Sequence, residues 1–264
     1  MKDCSGIALR CSKKRRREKL MNTNNNISSV ICNIPHSGTK IPDWALPDFT
    51  IPLGKIREIA EFMADKNVDR LFSFVPEENR LTAEISRIVV DTERYRNDSD
   101  KPMARLGMGL FYTCDHNGNH IRKRGSTYEK SLMIYDKYHR ELEEKTAFCL
   151  EKTGRCIILD CHSFHDGMEY TGCPTESFPD VCVGFNEKEP PEIVLRIKAL
   201  FENEGYSVKL NLPFSGAILP LKYSGDNRVV SVMLELNRRI YCGSKQDFRK
   251  VSGLCEKAYW LLGG

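Results

Sequence analysis

The chain has 264 residues, a formal net charge of +4, and a composition of 41% hydrophobic and 29% charged residues. This balance is ordinary for globular proteins, and the length suits one large α/β domain. No run approaches the roughly 18 consecutive apolar residues of a membrane span, and no apolar segment of a signal peptide follows the basic start of the chain. We therefore expect a cytoplasmic protein with no membrane partner.

The positive charge is concentrated at the start of the chain. Residues 1–21 contain eight Lys or Arg and two acidic residues, a balance of +6, so the remaining chain carries −2. The basic run over 13–17 is of a kind that binds nucleic acid or directs nuclear import, but it precedes a polar stretch and shows no apolar periodicity. We predict that residues 1–28 are a disordered tail and that residues 29–264 form a single domain. Nucleic acid is not an expected partner of that domain.

Strand and helix patterns alternate along the rest of the chain. Strands are predicted near 29–34, 82–90, 155–161, 180–185, 206–210 and 229–236, and helices near 54–74, 126–152, 190–204 and 245–262. The helix over 126–152 begins with a capping box, Ser126 to Glu129, and ends before Gly154. The alternation predicts a three-layer α/β/α sandwich with a mixed central sheet.

The eleven cysteines do not indicate a zinc motif. They are scattered, odd in number and without a Cys-x-x-Cys pair, so reduced and buried thiols are expected. Cys161 lies between Asp160 and His162, but neighbours on a strand point to opposite faces, so we do not assign it as a nucleophile.

Chemically active side chains follow three of the predicted strands. The strand 29–34 leads to His36, and the strand 155–161 leads to His162. Because ligands gather beyond the carboxyl ends of strands in such sheets, the two histidines indicate a metal site. The third strand ends in Glu235, followed by Arg238 and Arg239. Two roles remain open for Glu235, a structural ion pair with one of these arginines or a catalytic base, and a neighbouring metal favours the base.

Several short motifs follow one another along the chain. They are Pro35-His36-Ser37-Gly38, Asp65 with Asp69-Arg70-Leu71-Phe72, Ser86-Arg87 through Asp91-Thr92-Glu93-Arg94, Tyr138-His139, Asp160-Cys161-His162-Ser163 and Glu235-Leu236-Asn237-Arg238. The ordered set resembles the N-formylglutamate amidohydrolases, a family similar in fold to the zinc carboxypeptidases and aspartoacylases. The resemblance extends from about Ser29 to the C-terminus. It departs from the carboxypeptidase His-x-x-Glu pair, because Thr39 stands three residues after His36 and cannot supply a carboxylate.

The resemblance implies one divalent metal ion, expected to be zinc. Two imidazoles, one carboxylate and an open fourth position form the usual catalytic zinc arrangement. We assign His36 and His162 as the imidazoles, and Asp65 as the carboxylate because it begins the acidic pattern that the family carries after its first histidine. Asp65 and Asp69 are expected on one face of the helix 54–74. Glu235 resembles the glutamate that moves the proton of the attacking water in zinc carboxypeptidases.

The resemblance also implies a cationic substrate site. Arg94 stands where carboxypeptidase-like enzymes hold an Asn-Arg pair for the substrate's carboxylate, although Glu93 replaces the Asn. Arginine suits this role because its planar fork can bind a carboxylate with two parallel hydrogen bonds. Arg105 is a second candidate for the same role, with an ordinary exposed arginine as the alternative. His139 is a candidate oxyanion donor or a partner of the site residues, with a structural histidine as the alternative.

Three functions are compatible with the sequence. The first is a zinc amidohydrolase that cleaves a small N-acyl amino acid such as N-formylglutamate to a carboxylate and a free amine. The second is a carboxypeptidase-like zinc peptidase acting on peptides or cell-wall fragments. The third is a non-enzymatic binding protein on the same fold. The presence of His36, His162 and Glu235 together favours an enzyme.

Overall fold

The computed structural model describes residues 28–97, 101–167, 178–188 and 190–263. The tail predicted over 1–28 lies outside these residues, apart from Ser28. Within the described ranges no helix is long and apolar enough to cross a membrane.

The described residues build a six-stranded mixed sheet. Its strands are β1 Val30–Ile34, β2 Arg80–Thr82, β3 Cys156–Phe164, β4 Val181–Phe185, β5 Val208–Leu210 and β6 Val229–Asn237. They lie in the order β2-β1-β3-β6-β4-β5, with β4 antiparallel to β6 and every other neighbouring pair parallel. The carboxyl ends of β1, β3 and β6 therefore lie at one edge of the sheet.

Helices cover both faces of this sheet. They are α1 Leu53–Met63, α2 Val68–Leu71, α3 Pro102–Arg105, α4 Tyr128–Thr153, α5 Glu192–Glu202 and α6 Lys245–Gly263. The helices α2, α5 and α6 pack on one face, through a core that includes Leu71, Ile197 and Leu254. The helix α4 packs on the other face through Tyr138 and Leu142. The three-layer α/β/α arrangement predicted from the sequence is confirmed.

Strand alternation divides the core between the two faces. Ile157 and Leu159 of β3 belong to the core under α5 and α6, whereas Ile158 belongs to the core under α4. Because side chains alternate along a strand, Asp160 and His162 follow Ile158 onto the α4 face. That face is therefore apolar at the start of the strands and polar at their carboxyl ends.

Two predicted elements differ from the structure. The strand predicted over 82–90 is wrong beyond Thr82, the last residue of β2, because Val89 N and Val90 N both bond to Ser86 O and turn the chain there. The helix predicted over 54–74 is interrupted: α1 ends at Met63, and Asp65 donates its backbone N–H to His36 O at 2.8 Å. The expectation that Asp65 and Asp69 share one helix face is therefore wrong.

The ends of α4 were predicted with mixed success. Gly154 ends the helix in the left-handed conformation, with a φ of 76°, which confirms the glycine cap. The predicted capping box is wrong, because Asp48 supplies the cap instead. Its Oδ2 accepts hydrogen bonds from Thr127 N at 2.9 Å and from Thr127 Oγ1 at 2.6 Å. A cap from a residue 79 positions away leaves no local signal in the sequence.

Candidate metal centre and active site

His36 lies on the loop that follows β1, where the strand's apolar run gives way to a turn. Its Nε2 lies 2.8 Å from Asp91 Oδ1, and its Nδ1 lies 3.3 Å from Nδ1 of His162. Burial, together with the nearby Arg87 charge, lowers the pKa of His36 to about 4, although Asp91 acts in the opposite direction. The ring is therefore neutral at neutral pH, with one nitrogen held by a carboxylate, as is usual for histidines that bind metals.

His162 lies near the end of β3 and is enclosed by carboxylates. Its Nδ1 lies 3.0 Å from Asp65 Oδ2, a hydrogen-bond contact. Its Nε2 lies 3.0 Å from Glu93 Oε2 and 3.1 Å from Asp160 Oδ1, yet this buried nitrogen has no partner with hydrogen-bond geometry within the described chain. A buried ring nitrogen left in this state is suited to a ligand that the protein itself does not supply.

One group of potential ligands meets around the two histidines. Among the described residues, ligand atoms of His36, Glu93 and His162 all lie within 4.8 Å of one another. Asp65 also lies close, with its Oδ2 3.8 Å from Nδ1 of His36. Glu93 was not assigned as a ligand from the sequence, although its replacement of the Asn in the clamp pair was the signal that could have identified it.

The ionisable groups of the site could supply an excess of negative charge to a bound cation. If all five buried or nearly buried carboxylates were ionised and both histidines were neutral, as a bound cation would favour, they would exceed the three arginines of the site by two negative charges. This excess, with two imidazoles at the centre, fits a divalent cation. Burial together with the neighbouring Asp160 raises the pKa of Glu93 to about 8. The carboxylates are Asp65, Asp91, Glu93, Asp160 and Glu235, and the arginines are Arg87, Arg94 and Arg238.

Glu235 lies on β6 directly opposite His162 of β3. Its Oε2 is buried and has no hydrogen-bond partner within the described chain, and burial raises its pKa to about 8. Arg238 donates instead to Ser163 Oγ and to the carbonyls of residues 62 and 64, and Arg239 pairs with Asp166 and Asp180. Neither arginine forms the structural ion pair with Glu235 that the sequence had left open.

Of the other residues predicted for the site, Arg94 and His139 line the cleft and Arg105 does not. Arg94 lines the cleft and donates from Nε to Met108 O at 3.1 Å. His139 also lines the cleft, and its Nε2 lies 2.7 Å from Thr92 O. Arg105, at the end of α3, is exposed and is not among the residues that line the cleft.

Both histidines of the site, with Asp65, Glu93, Asp160 and Glu235, line a cleft of about 1080 Å³. The segment 95–112 also lines it, through side chains that include Tyr95, Leu106 and Met108. The segment 213–221 contributes Phe214 and Ile218, among others. The cleft therefore combines charged side chains with apolar ones, as small-molecule sites commonly do.

Comparison with known proteins identifies the family of this chain. The model of the family described as N-formylglutamate amidohydrolase matches residues 28–242, most of the chain. The chain belongs to this family. No curated protein sequence matches it.

Two solved structures share the fold of this family member. A crystal structure of N-formylglutamate amidohydrolase from Ralstonia eutropha JMP134 superposes with a TM-score of 0.72 at 22% identity, covering 89% of this chain and 91% of that one. A gene product of Agrobacterium tumefaciens superposes with a TM-score of 0.64 at 14% identity, covering 89% and 88%. At these identities the likeness establishes the fold.

Proposed function

We propose that the protein is a zinc-dependent cytoplasmic amidohydrolase that removes the acyl group from a small N-acyl amino acid. The observation that carries this proposal is a pair of buried atoms without a hydrogen-bond partner in the described chain, His162 Nε2 and Glu235 Oε2, on paired positions of β3 and β6 that line one cleft. Family membership supports the amidohydrolase class.

We assign the metal to His36, His162 and a carboxylate. Glu93 fits this third place because its Oε2 lies 3.0 Å from the buried Nε2 of His162. Asp65, favoured by the sequence, is the competing assignment, because its Oδ2 lies 3.0 Å from the other nitrogen of the same ring. With Glu93 as the ligand, Asp65 and Asp91 hold the outer nitrogens of the two rings and fix their orientation.

Glu235 is proposed to move the proton. A bound divalent cation would polarise the amide carbonyl and make water more acidic. Glu235 is then placed to accept the proton of the attacking water and to deliver it to the amine nitrogen as the C–N bond breaks. Burial raises its pKa above the ordinary value, which brings the group closer to the range in which it can both accept and return a proton.

Arg94 and His139 are proposed to place the substrate. The guanidinium of Arg94 binds the carboxylate of the amino-acid half, as its position in the cleft allows. His139 holds the carbonyl of Thr92, the residue between Asp91 and Glu93, and so positions the segment that carries both acidic side chains.

Metal analysis of three variants tests the site. The purified wild type should contain one equivalent of zinc and release free amine from N-acyl amino acids. With Glu93 as the ligand, Glu93→Gln should lose zinc, whereas Asp65→Asn should keep it with an affinity reduced about 10- to 100-fold. The reverse pattern would assign the metal to Asp65, and full zinc in a His36→Ala variant would refute the site.

A further inference from the structure

We propose that Asn33 is a positioning residue of the metal site. Its amide, held by the hydroxyl of Tyr138, orients the carboxylate of Glu93 and leaves one oxygen, Oε2, directed at the site histidines. The inference rests on the proposed function and specifies how this chain prepares its third metal ligand. It follows from a buried chain of hydrogen bonds that runs from α4 through β1 to two carboxylates of the site.

Asn33 is a polar residue in the middle of the sheet. It lies on β1, paired with Asp160 of β3. Its side chain follows that of Ile31, two residues earlier, onto the α4 face, and it is fully buried. Asparagine is uncommon in strands, and a buried amide is costly unless its polar atoms are hydrogen-bonded. The partners of Asn33 therefore show what it does on this face.

Both protons of the Asn33 amide are directed at carboxylates. Its Nδ2 donates to Asp160 Oδ1 at 2.8 Å and to Glu93 Oε1 at 3.2 Å, and an amide nitrogen has two protons to donate. Its Oδ1 accepts a hydrogen bond from the hydroxyl of Tyr138 at 2.6 Å. These partners fix the orientation of the amide, because the reversed amide would direct its oxygen at two carboxylates.

The two oxygens of Glu93 consequently have different partners. Oε1 accepts the hydrogen bond from Asn33, whereas Oε2 lies 3.0 Å from Nε2 of His162 and 3.8 Å from Nδ1 of His36. A carboxylate that is hydrogen-bonded through one oxygen presents the other in a defined direction, as carboxylates that bind metals do. Asn33 therefore holds Glu93 in the orientation that a ligand shared with both histidines requires.

A neutral amide suits this position better than a cation would. It satisfies oxygens of Glu93 and Asp160 without cancelling the negative charge that would attract a divalent cation. Asp160 is also held from elsewhere, because its Oδ2 accepts a hydrogen bond from Ile218 N at 3.0 Å. Loss of the amide should therefore disturb Glu93 more than Asp160.

Neighbouring residues of α4 hold the Glu93 segment at two points. Tyr138 is buried and reaches the Glu93 side chain through Asn33. His139 lies 2.7 Å from Thr92 O, in the backbone directly before Glu93. The Tyr138-His139 motif thus acts on both the side chain and the backbone of the proposed ligand.

Metal affinity tests the inference without any substrate. The metal-free full-length protein would be titrated with zinc against a competing chelator, and with cobalt(II) by visible absorption. Asn33→Ala should bind zinc about 10- to 100-fold more weakly than the wild type, because a hydrogen-bond partner of a ligand is lost. The absorption of bound cobalt(II) should also change, because the Glu93 carboxylate is no longer fixed.

Asn79→Ala is the matched control for a purely structural loss. Asn79 is also buried, and its Nδ2 donates twice, to Ser28 O at 3.3 Å and to Val30 O at 3.0 Å, but it does not line the cleft. This variant should melt earlier than the wild type while its zinc affinity and cobalt(II) spectrum stay unchanged.

Tyr138→Phe tests the chain of hydrogen bonds in a variant that keeps the packing of the ring. It should weaken zinc binding by about 3- to 10-fold, the usual effect of one hydrogen bond. Added to Asn33→Ala, it should cause no further loss of affinity, because the hydroxyl acts through the amide. An additive loss would contradict that order of action.

The remaining outcomes separate this inference from the proposed function. Wild-type zinc affinity in Asn33→Ala or in Glu93→Gln, an unchanged cobalt(II) spectrum in Asn33→Ala, or an equal loss in Asn79→Ala would overturn the inference while the metal site stands. Weaker zinc binding by Asn33→Ala, with no amine released from N-acyl amino acids by the wild type, would support the inference and refute the amidohydrolase proposal. Full zinc in His36→Ala, or none in the wild type, would refute both.

Discussion

The two faces of the central sheet are formed by the same strands but carry different side chains at the carboxyl ends of those strands. On β3 and β6, Cys161 and Leu234 point to the face under α5 and α6 and are fully buried in its apolar core. Their chain neighbours His162 and Glu235 point to the opposite face and carry the proposed chemistry. One residue along the strand therefore separates a packing position from a site position.

The difference follows from what covers each face. On the first face the apolar core continues to the carboxyl ends of the strands, through residues such as Leu236. On the second face α4 packs on the early strand positions, such as Ile158 and Val229, and the cleft lies at their carboxyl ends, lined in part by the segments 95–112 and 213–221. Buried charges can be retained there because they have one another as partners and because His36, Glu93 and His162 could hold a cation.

The largest expected effect comes from removing a histidine. His162→Ala should lose both zinc and activity, because the ring lies between the two candidate carboxylates. Cys161→Ala, at the neighbouring position on the other face, should keep one equivalent of zinc and normal turnover while losing some stability through its cavity. Metal content and melting temperature should be measured for both variants. Zinc retained by His162→Ala would contradict the assignment of His162 as a metal ligand.

The next effect should come from Glu235→Gln, which keeps the shape of the side chain but cannot accept a proton. Zinc should remain bound while turnover falls about 10²- to 10⁴-fold. The Leu234→Val variant, one position away on the apolar face, is the control and should lower stability without lowering turnover per folded molecule.

Stability of the metal-free Glu235→Gln variant separates proton transfer from a structural ion pair. Burial raises the pKa of Glu235 from 4.5 to about 8, so metal-free wild type loses stability relative to the variant as pH rises from the first value towards the second. The variant should therefore melt no earlier than metal-free wild type above pH 8. Early melting with normal turnover would reject the catalytic role.

A smaller and selective effect is expected from Arg94→Ala. Substrates with a free carboxylate should lose about 10- to 100-fold in kcat/KM, because a charged hydrogen bond contributes about 1.5–3 kcal/mol. Esters or amides of that carboxylate should lose little. The exposed Arg105→Ala variant should change neither class. Equal losses for free and blocked substrates would mean that Arg94 is structural.

Patterns of the chain predicted the sheet and the two histidines because both depend on local signals, namely apolar strands that end in polar turns. The position of Asp65 was not predictable in this way, since a helix pattern continues through it and only its bond to His36 O shows that the helix has ended. The approach of Glu93 to His162 depends on the turn at Ser86, in a segment whose sequence predicts a strand. The positions of Asp65 and Glu93 therefore depend on contacts between segments that are distant in the sequence.

The smallest expected effect concerns Asp48, a buried carboxylate whose contacts are structural rather than part of the cleft. Burial acts to raise its pKa, but the hydrogen bonds from Thr127 outweigh this and lower it below the ordinary value of 3.8. A depressed folded pKa stabilises the protein above the unfolded value, and that contribution disappears as pH falls through the folded one. Asp48→Asn should therefore be about 1 kcal/mol less stable at pH 7, with the difference shrinking below about pH 4, while zinc content and turnover are unchanged. Asp43→Asn, at an exposed position in the 3-10 helix Asp43–Asp48 that also contains Asp48, is the control and should have no effect on melting. A loss of zinc or turnover in Asp48→Asn at full folding would show that α4 transmits strain to the site, and that the separation between packing and site carboxylates does not hold.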